Sequence, residues 1–257
     1  MNVIEVEALS RTFRVARRRE GSLFRRLGRD YADVRAVDGV SFTIAPGEIV
    51  GYIGPNGAGK STTIKMLTGI LVPTSGTVRV AGLDPWRRRT ELARRIGVVF
   101  GQRTQLWWDL PLRQSFELLR HIYRVPEARH RANLQRYVAL LDMEGFLETP
   151  VRQLSLGQRM RGELVAALLH DPEILYLDEP TIGLDVVAKA RIREFLLALG
   201  PERGTTVLLT THDMGDIERL CRRVLIIDRG RAKHPSANYL RGKINTWSPC
   251  TSSWIRT

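Results

Sequence analysis

The chain has 257 residues, 43% of them apolar, enough for one large globular unit or a core with a smaller inserted subdomain. No stretch approaches the ~18 consecutive apolar residues of a membrane span. The acidic, alternating start from Met1 to Glu7 is unlike a secretion signal, and Cys221 and Cys250 lack metal-ligand spacing, so a soluble protein in a reducing compartment is expected. The formal net charge of +13 suits an anionic partner, whether nucleic acid, ribosome or the inner face of a membrane, without choosing among them.

Val3 to Glu7 reads as a strand. Residues 14–35 interrupt the pattern as a basic insertion that, with Arg11, carries Arg14, Arg17, Arg18, Arg19, Arg25, Arg26 and Arg29. Within it, Leu23, Phe24, Leu27 and Tyr31 would give a short helix one apolar face, which fits either a segment on an anionic membrane surface or a solvated loop. Val40 to Ile44 alternates like a strand, Pro46-Gly47 turns the chain, and Glu48 to Ile53 follows as a buried strand. A glycine-rich loop then leads to a helix from about Ser61 to Leu67. Thr77 to Val80 and Ile96 to Phe100 are further strands.

The middle of the chain changes period. Leu112, Phe116, Leu119 and Ile122 recur at helical spacing, and beyond Pro126 so do Leu134, Tyr137, Val138 and Leu141. Residues 103–153 therefore read as an inserted helical subdomain between core segments 1–102 and 154–230. Ile174 to Leu177 and Thr205 to Leu209 are apolar strands around a helix from Val186 to Leu199. Such alternation predicts an α/β fold with a mostly parallel sheet covered on both faces. From residue 231 to 257 periodicity is weak, with Trp247, Cys250 and Trp254 scattered among Ser and Thr. That tail reads as a disordered extension or as a truncated or frame-shifted end.

Gly54-Pro55-Asn56-Gly57-Ala58-Gly59-Lys60-Ser61 matches the phosphate-loop pattern G-x-x-x-x-G-K-[ST]. Its glycines allow successive N–H groups to converge on one phosphate chain, and the following helix adds its positive N-terminal end. Lys60 would reach the β- and γ-phosphates, Ser61 would hold Mg²⁺, and Thr62 completes the binding set. Downstream, the apolar run from Ile174 to Leu177 ends in Asp178 and Glu179. Ligands of parallel sheets gather at the carboxyl ends of strands. That places Asp178 to order Mg²⁺ and Glu179 to orient or deprotonate the attacking water. Taken alone the acidic pair also fits a strand ending in a polar turn.

Three further segments carry a resemblance. Leu154-Ser155-Leu156-Gly157-Gln158 resembles the LSGGQ signature of ABC transporter nucleotide-binding subunits. Pro180 to Asp185 resembles their D-loop, and Thr210-Thr211-His212-Asp213 resembles their H-loop. The order matches from about Val3 to Arg231, in the style of exporters of the ABC-2 type. The resemblance implies a RecA-like P-loop core with an N-terminal antiparallel β portion, and ATP hydrolysis with Mg²⁺. It also implies a second nucleotide-binding subunit, identical or paralogous, arranged head to tail. Ser155, Gly157 and Gln158 would then contact the ATP of the partner, Asp185 would communicate between sites, and His212 would contact the γ-phosphate.

By the same resemblance Gln102 would ligate Mg²⁺ or position water, with Gln105 as the substitute. Phe13 or Tyr31 would stack on adenine. Trp107-Trp108 would lie where a polytopic membrane permease docks, although core packing is the alternative for both. Two departures stand out: Leu156 replaces the first glycine of the signature, and Gly101 adds one residue before Gln102. The implied function is to power export through a separate permease, from the cytoplasmic face of the cell membrane as a peripheral subunit. The rival is a soluble ABC ATPase acting on ribosomes or nucleic acid, although the long coiled coils and zinc sites of such proteins are not seen.

Overall fold

The computed structural model describes residues 2–17, 30–101 and 104–233. Strands β1 (Ile4–Arg17), β2 (Asp30–Ile44) and β4 (Ser75–Val80) form a three-stranded antiparallel sheet in the order β2-β1-β4. The second sheet holds β3 (Ile49–Ile53), β5 (Ile96–Phe100), β6 (Ile174–Asp178), β7 (Thr206–Thr210), β8 (Arg223–Asp228) and β9 (Arg231–Lys233), in the order β5-β6-β7-β3-β8-β9. All its pairs are parallel except β8 with β9.

The helices are α1 (Lys60–Leu67), α2 (Arg89–Ala93), α3 (Leu112–Tyr123), α4 (Glu127–Leu140), α5 (Leu156–Leu168), α6 (Val186–Arg203) and α7 (Met214–Leu220). Short 3-10 turns at Glu144–Phe146 and Val151–Gln153 bridge α4 to α5.

The parallel sheet is buried on both faces, and its alternation divides the core. From β6, Ile174 and Tyr176 face one side, packing with α1 and the antiparallel sheet through Ile64, Leu67, Val40 and Ile44. Leu175 and Leu177 face the other, against Val165, Leu168, Ile192 and Phe195 of α5 and α6, in a cluster that continues to Phe116 of α3 and Tyr137 of α4. Burial on this scale contributes about 1.5–3 kcal/mol per large apolar side chain. It explains why β6 reads as an unbroken apolar run.

Two expectations need correcting. Residues 14–17 and 30–35, assigned above to the basic insertion, instead continue β1 and β2 as a paired arm. Tyr31 lies opposite Ala16 on that arm, not on a helical face. The register already set at Ile4–Ile44 extends because it satisfies backbone groups and puts Arg14 opposite Asp33. Leu23, Phe24, Leu27, Arg18, Arg19, Arg25, Arg26 and Arg29 lie outside the described residues. At the other end, Arg231–Lys233 is not an irregular tail but a strand paired with β8. Trp247, Cys250 and Trp254 lie outside the described residues.

Candidate functional site

Strands β5, β6, β7 and β3 are adjacent and parallel, so their carboxyl ends open on one edge. The phosphate loop leaves β3 there, Asp178 ends β6 with Glu179 directly after it, and Thr211-His212 follow β7. Register fixes the neighbours: Phe100 pairs with Asp178, and Asp178 with Thr210.

The loop from Gly54 to Gly59 is tightly seated. A Cβ on Gly54 would come within 2.1 Å of the Ile227 carbonyl oxygen. Gly59 has φ +104°, and a Cβ there would come within 2.4 Å of the Ala36 carbonyl oxygen. Gly57, at φ +76°, faces open space. Gly59 is the N-cap of α1 but offers no side chain to cap it, so the first-turn N–H groups are left for a ligand. Lys60 is buried, and its Nζ donates to the carbonyls of Gly54 (2.7 Å) and Pro55 (3.1 Å). Burial pulls its pKa down, while the charges of Glu179 and Asp178 push it back up.

Asp178 Oδ1 accepts a 2.6 Å hydrogen bond from Thr210 Oγ1. Glu179 takes φ +56°, a left-handed conformation costly for a side chain with a Cβ. Its N–H donates to the Thr210 carbonyl (3.0 Å) and to Thr210 Oγ1 (3.1 Å), which holds that turn. His212 Nε2 lies 2.9 Å from Glu179 Oε1 and 3.4 Å from Lys60 Nζ. Ser61, Asp178 and Glu179 line a common cavity of about 340 Å³ with Lys65, Ile70, Phe100, Gly101 and Ile182. Sequence alone does not single out Thr210; its only local signal is membership of the segment before His212.

Gly101 explains the extra residue before Gln102. Its N–H donates to the Asp178 carbonyl at 2.9 Å, and a Cβ there would crowd the carbonyls of Asp178 (2.9 Å) and Glu179 (3.0 Å). Glycine lets the chain leaving β5 cross directly over the acidic pair. Gln102 itself lies outside the described residues. Gln105 turns elsewhere: its Nε2 donates to the Glu163 carbonyl of α5.

Ser155 is the N-cap of α5. Its Oγ accepts from the Gln158 N–H (3.2 Å), and Gln158 Oε1 accepts from the Ser155 N–H (2.8 Å). This capping box uses Oγ as an acceptor and leaves the hydroxyl proton free to donate. Gly157 sits in the first turn. Leu156 leans on the D-loop side, its Cδ2 at 3.1 Å from a Cβ built on Gly183. It also borders a cavity of about 200 Å³ with Trp108, Arg159 and Glu163. Asp185 Oδ1 accepts from the Ala188 N–H at 2.8 Å, at the start of α6.

The structure does not gather Phe13 and Tyr31. Phe13 is half-buried opposite Val34, beneath the Arg11 guanidinium at 4.8 Å. Tyr31 is exposed three pairs further out, with Arg14 over its ring at 5.0 Å. Phe13 stands nearer the point where Ala36 and Val37 touch Gly59.

A profile of the ABC transporter family matches residues 37–182. The chain is 42% identical over 209 residues to Nod factor export ATP-binding protein I of Paraburkholderia xenovorans, covering 81% of this chain and 68% of that protein. It is 34% identical over 204 residues to the ABC transporter ATP-binding protein NatA of Bacillus subtilis, covering 79% and 82%. Among solved structures, the dimeric ATP-binding cassette MJ0796 in its post-hydrolysis state with ADP and Pi superposes with a TM-score of 0.76 at 27% identity, over 93% of this chain and 99% of that one.

Proposed function

Because the chain belongs to the ABC transporter family, as one of its ATP-binding and ATP-hydrolysing subunits, we infer that it powers export through a separate polytopic permease at the cytoplasmic face of the membrane. The observation that carries this reading is the convergence of the phosphate loop, the Asp178-Glu179 pair and His212 on one sheet edge. Relatives named for Nod factor export and for daunorubicin resistance support the export direction. Among the described residues no helix is long and apolar enough to cross a membrane, which fits a peripheral subunit.

In this reading the N–H groups of Gly57 to Thr62 bind the ATP phosphates, with Gly54, Pro55 and Asn56 shaping the loop. Lys60 exchanges its loop carbonyls for the β- and γ-phosphate oxygens. Phe13 is the adenine platform. Among the described residues no group of three or more His, Cys, Asp or Glu could hold a metal ion alone. One hydroxyl and one carboxylate, from Ser61 and Asp178, fit Mg²⁺, which keeps waters and phosphate oxygens as its other ligands. When bound, Mg²⁺ would neutralise charge on the phosphates, held by Ser61, Asp178 and Gln102. Glu179 takes the proton of the attacking water or orients it. His212, with Nε2 2.9 Å from Glu179 Oε1, steadies it and faces the γ-phosphate.

The second half of each site comes from a second cassette. Ser155 donates its free hydroxyl proton to the partner's nucleotide, Gly157 and Gln158 support that contact, and Asp185 borders both sites. Trp107 and Trp108, 37% and 50% exposed, fit a docking surface for the permease. The arginine-bearing arm of β1 and β2 fits an anionic inner leaflet.

The test is to purify tagged Glu179→Gln with ATP from its native cells. A stable dimer carrying a polytopic membrane protein is expected. Ribosomal proteins or nucleic acid without any membrane protein would replace the transporter reading with that of a soluble ABC ATPase.

A further inference from the structure

Asp216 lies on α7, outside every motif considered so far, and is fully buried. Its two oxygens take three side-chain donors. Oδ2 accepts from Thr181 Oγ1 at 2.5 Å and from Thr211 Oγ1 at 3.0 Å, and Oδ1 accepts from Arg193 Nε at 2.5 Å. Both threonines are themselves buried, at 3% exposure.

The positions of these donors matter more than their number. Thr181 stands two residues after Glu179, and Thr211 immediately precedes His212. Glu179 and His212 touch across 2.9 Å. The contacts therefore close a ring: Asp216 to Thr211, along the chain to His212, across to Glu179, along the chain to Thr181, and back to Asp216. Arg193 extends the ring to α6, the helix that follows Asp185. Its other nitrogen pairs with Asp213 at 3.2 Å, and Asp213 also accepts from Lys189 of α6 at 2.8 Å. The Lys189 bond is the main reason the Asp213 carboxyl titrates below its usual range.

An isolated Glu179 would not keep its conformation. Its φ of +56° is unfavourable for a residue with a Cβ and persists only where the surroundings over-determine it. Thr210 holds the turn from the N–H side; Asp216, through Thr181, holds the chain leaving it. A buried carboxylate and a partly buried guanidinium are costly to desolvate, and apolar residues of similar volume would often serve stability as well. What such residues could not supply is a single acceptor shared by the two strands of chain that carry the reacting pair.

We propose that Asp216 is a positioning residue for ATP hydrolysis, holding Glu179 and His212 in register and tying that register to α6 and Asp185. The proposal rests on the reading of Glu179 as the residue that acts on water. Misplacement by about 1 Å can cost on the order of a hundredfold in rate. Asp216→Asn in the full chain should therefore lower kcat by about tenfold to a hundredfold, while the Kd for a fluorescent ATP analogue, which the phosphate loop sets, stays within about twofold. In the Glu179→Gln background the same substitution should cost far less than in the wild type, because the main group it positions is already removed.

Thr181→Val and Thr211→Val keep the side-chain shape and remove one hydroxyl each. Each should lower kcat by about threefold to tenfold, and they report even where Asp216→Asn does not fold. The proposal is overturned by full additivity with Glu179→Gln, by a matching loss of nucleotide affinity, or by wild-type rates in both valine variants. Glu179→Gln alone separates the two readings. A wild-type rate there sinks the assignment of Glu179 and this proposal with it. A slow Glu179→Gln beside an unimpaired Asp216→Asn sinks this proposal only.

Discussion

Gln105 and Glu163 hold each other through two contacts. The Gln105 backbone N–H donates to Glu163 Oε2, and its Nε2 donates to the Glu163 backbone carbonyl, each at 3.3 Å. Thr104 Oγ1 donates to the other carboxyl oxygen. The loop leaving β5 is thereby fastened to the helix that Ser155 caps. Glu163 is 5% exposed, and burial raises its pKa above the ordinary 4.5, against the lowering effect of its hydrogen bonds.

That shift predicts a pH dependence. The folded chain retains the Glu163 proton where the unfolded chain has released it. The contribution of Glu163 is therefore complete below about pH 4.5 and is lost as pH rises through the folded value. Relative to Glu163→Gln, the wild type should lose stability as pH rises above about 4.5. Urea titrations of both proteins across that range read the difference. A gap that does not move with pH would contradict it.

Lys60→Ala should bind ATP about tenfold to a hundredfold more weakly, the worth of a charge-assisted hydrogen bond of about 1.5–3 kcal/mol. Nucleotide titration by fluorescence measures it. Unchanged affinity would remove Lys60 from the phosphate site.

Gly59→Ala and Gly57→Ala should differ although both glycines have positive φ. The first puts a Cβ 2.4 Å from a backbone carbonyl oxygen, and the second puts it in open space. Gly57→Ala should cost roughly 1–2 kcal/mol of strain, and Gly59→Ala more, with loss of ATP binding. Equal melting temperatures for the two variants would show that the loop relaxes freely at Gly59.

Phe13→Ala should weaken ATP binding by about 1–3 kcal/mol, the usual worth of a base stacked on an aromatic ring. Tyr31→Ala should leave it within about twofold. The reverse order would transfer the adenine platform to Tyr31.

Ser155→Ala removes the cap of α5, at a cost of about 1 kcal/mol. It should also prevent the ATP-dependent dimer that Glu179→Gln forms, as read by light scattering. A dimer that persists would leave Ser155 with a capping role only.

Much of this protein was legible before its fold was known. The phosphate loop, the apolar run of β6 ending in Asp178 and Glu179, and the segment around His212 are local patterns, because each is dictated by one strand, one turn or one helix start. Their order along the chain sufficed for the family and for ATP hydrolysis. Local patterns were weaker guides where pairing is long-range. The basic residues from Arg14 to Arg17 read as an interruption, yet cross-strand bonds to residues 30–33 carry them into an arm. Arg231–Lys233 likewise gains strand character only from β8. Only the tertiary structure could decide that Gly101 crosses over the Asp178-Glu179 backbone, or that Thr210 orients Asp178. It alone brings Asp216 between Thr181 and Thr211, 35 and 5 residues away in sequence. A side chain's partners in a buried network depend on which strands lie side by side, and the order β5-β6-β7-β3 is a property of the whole sheet.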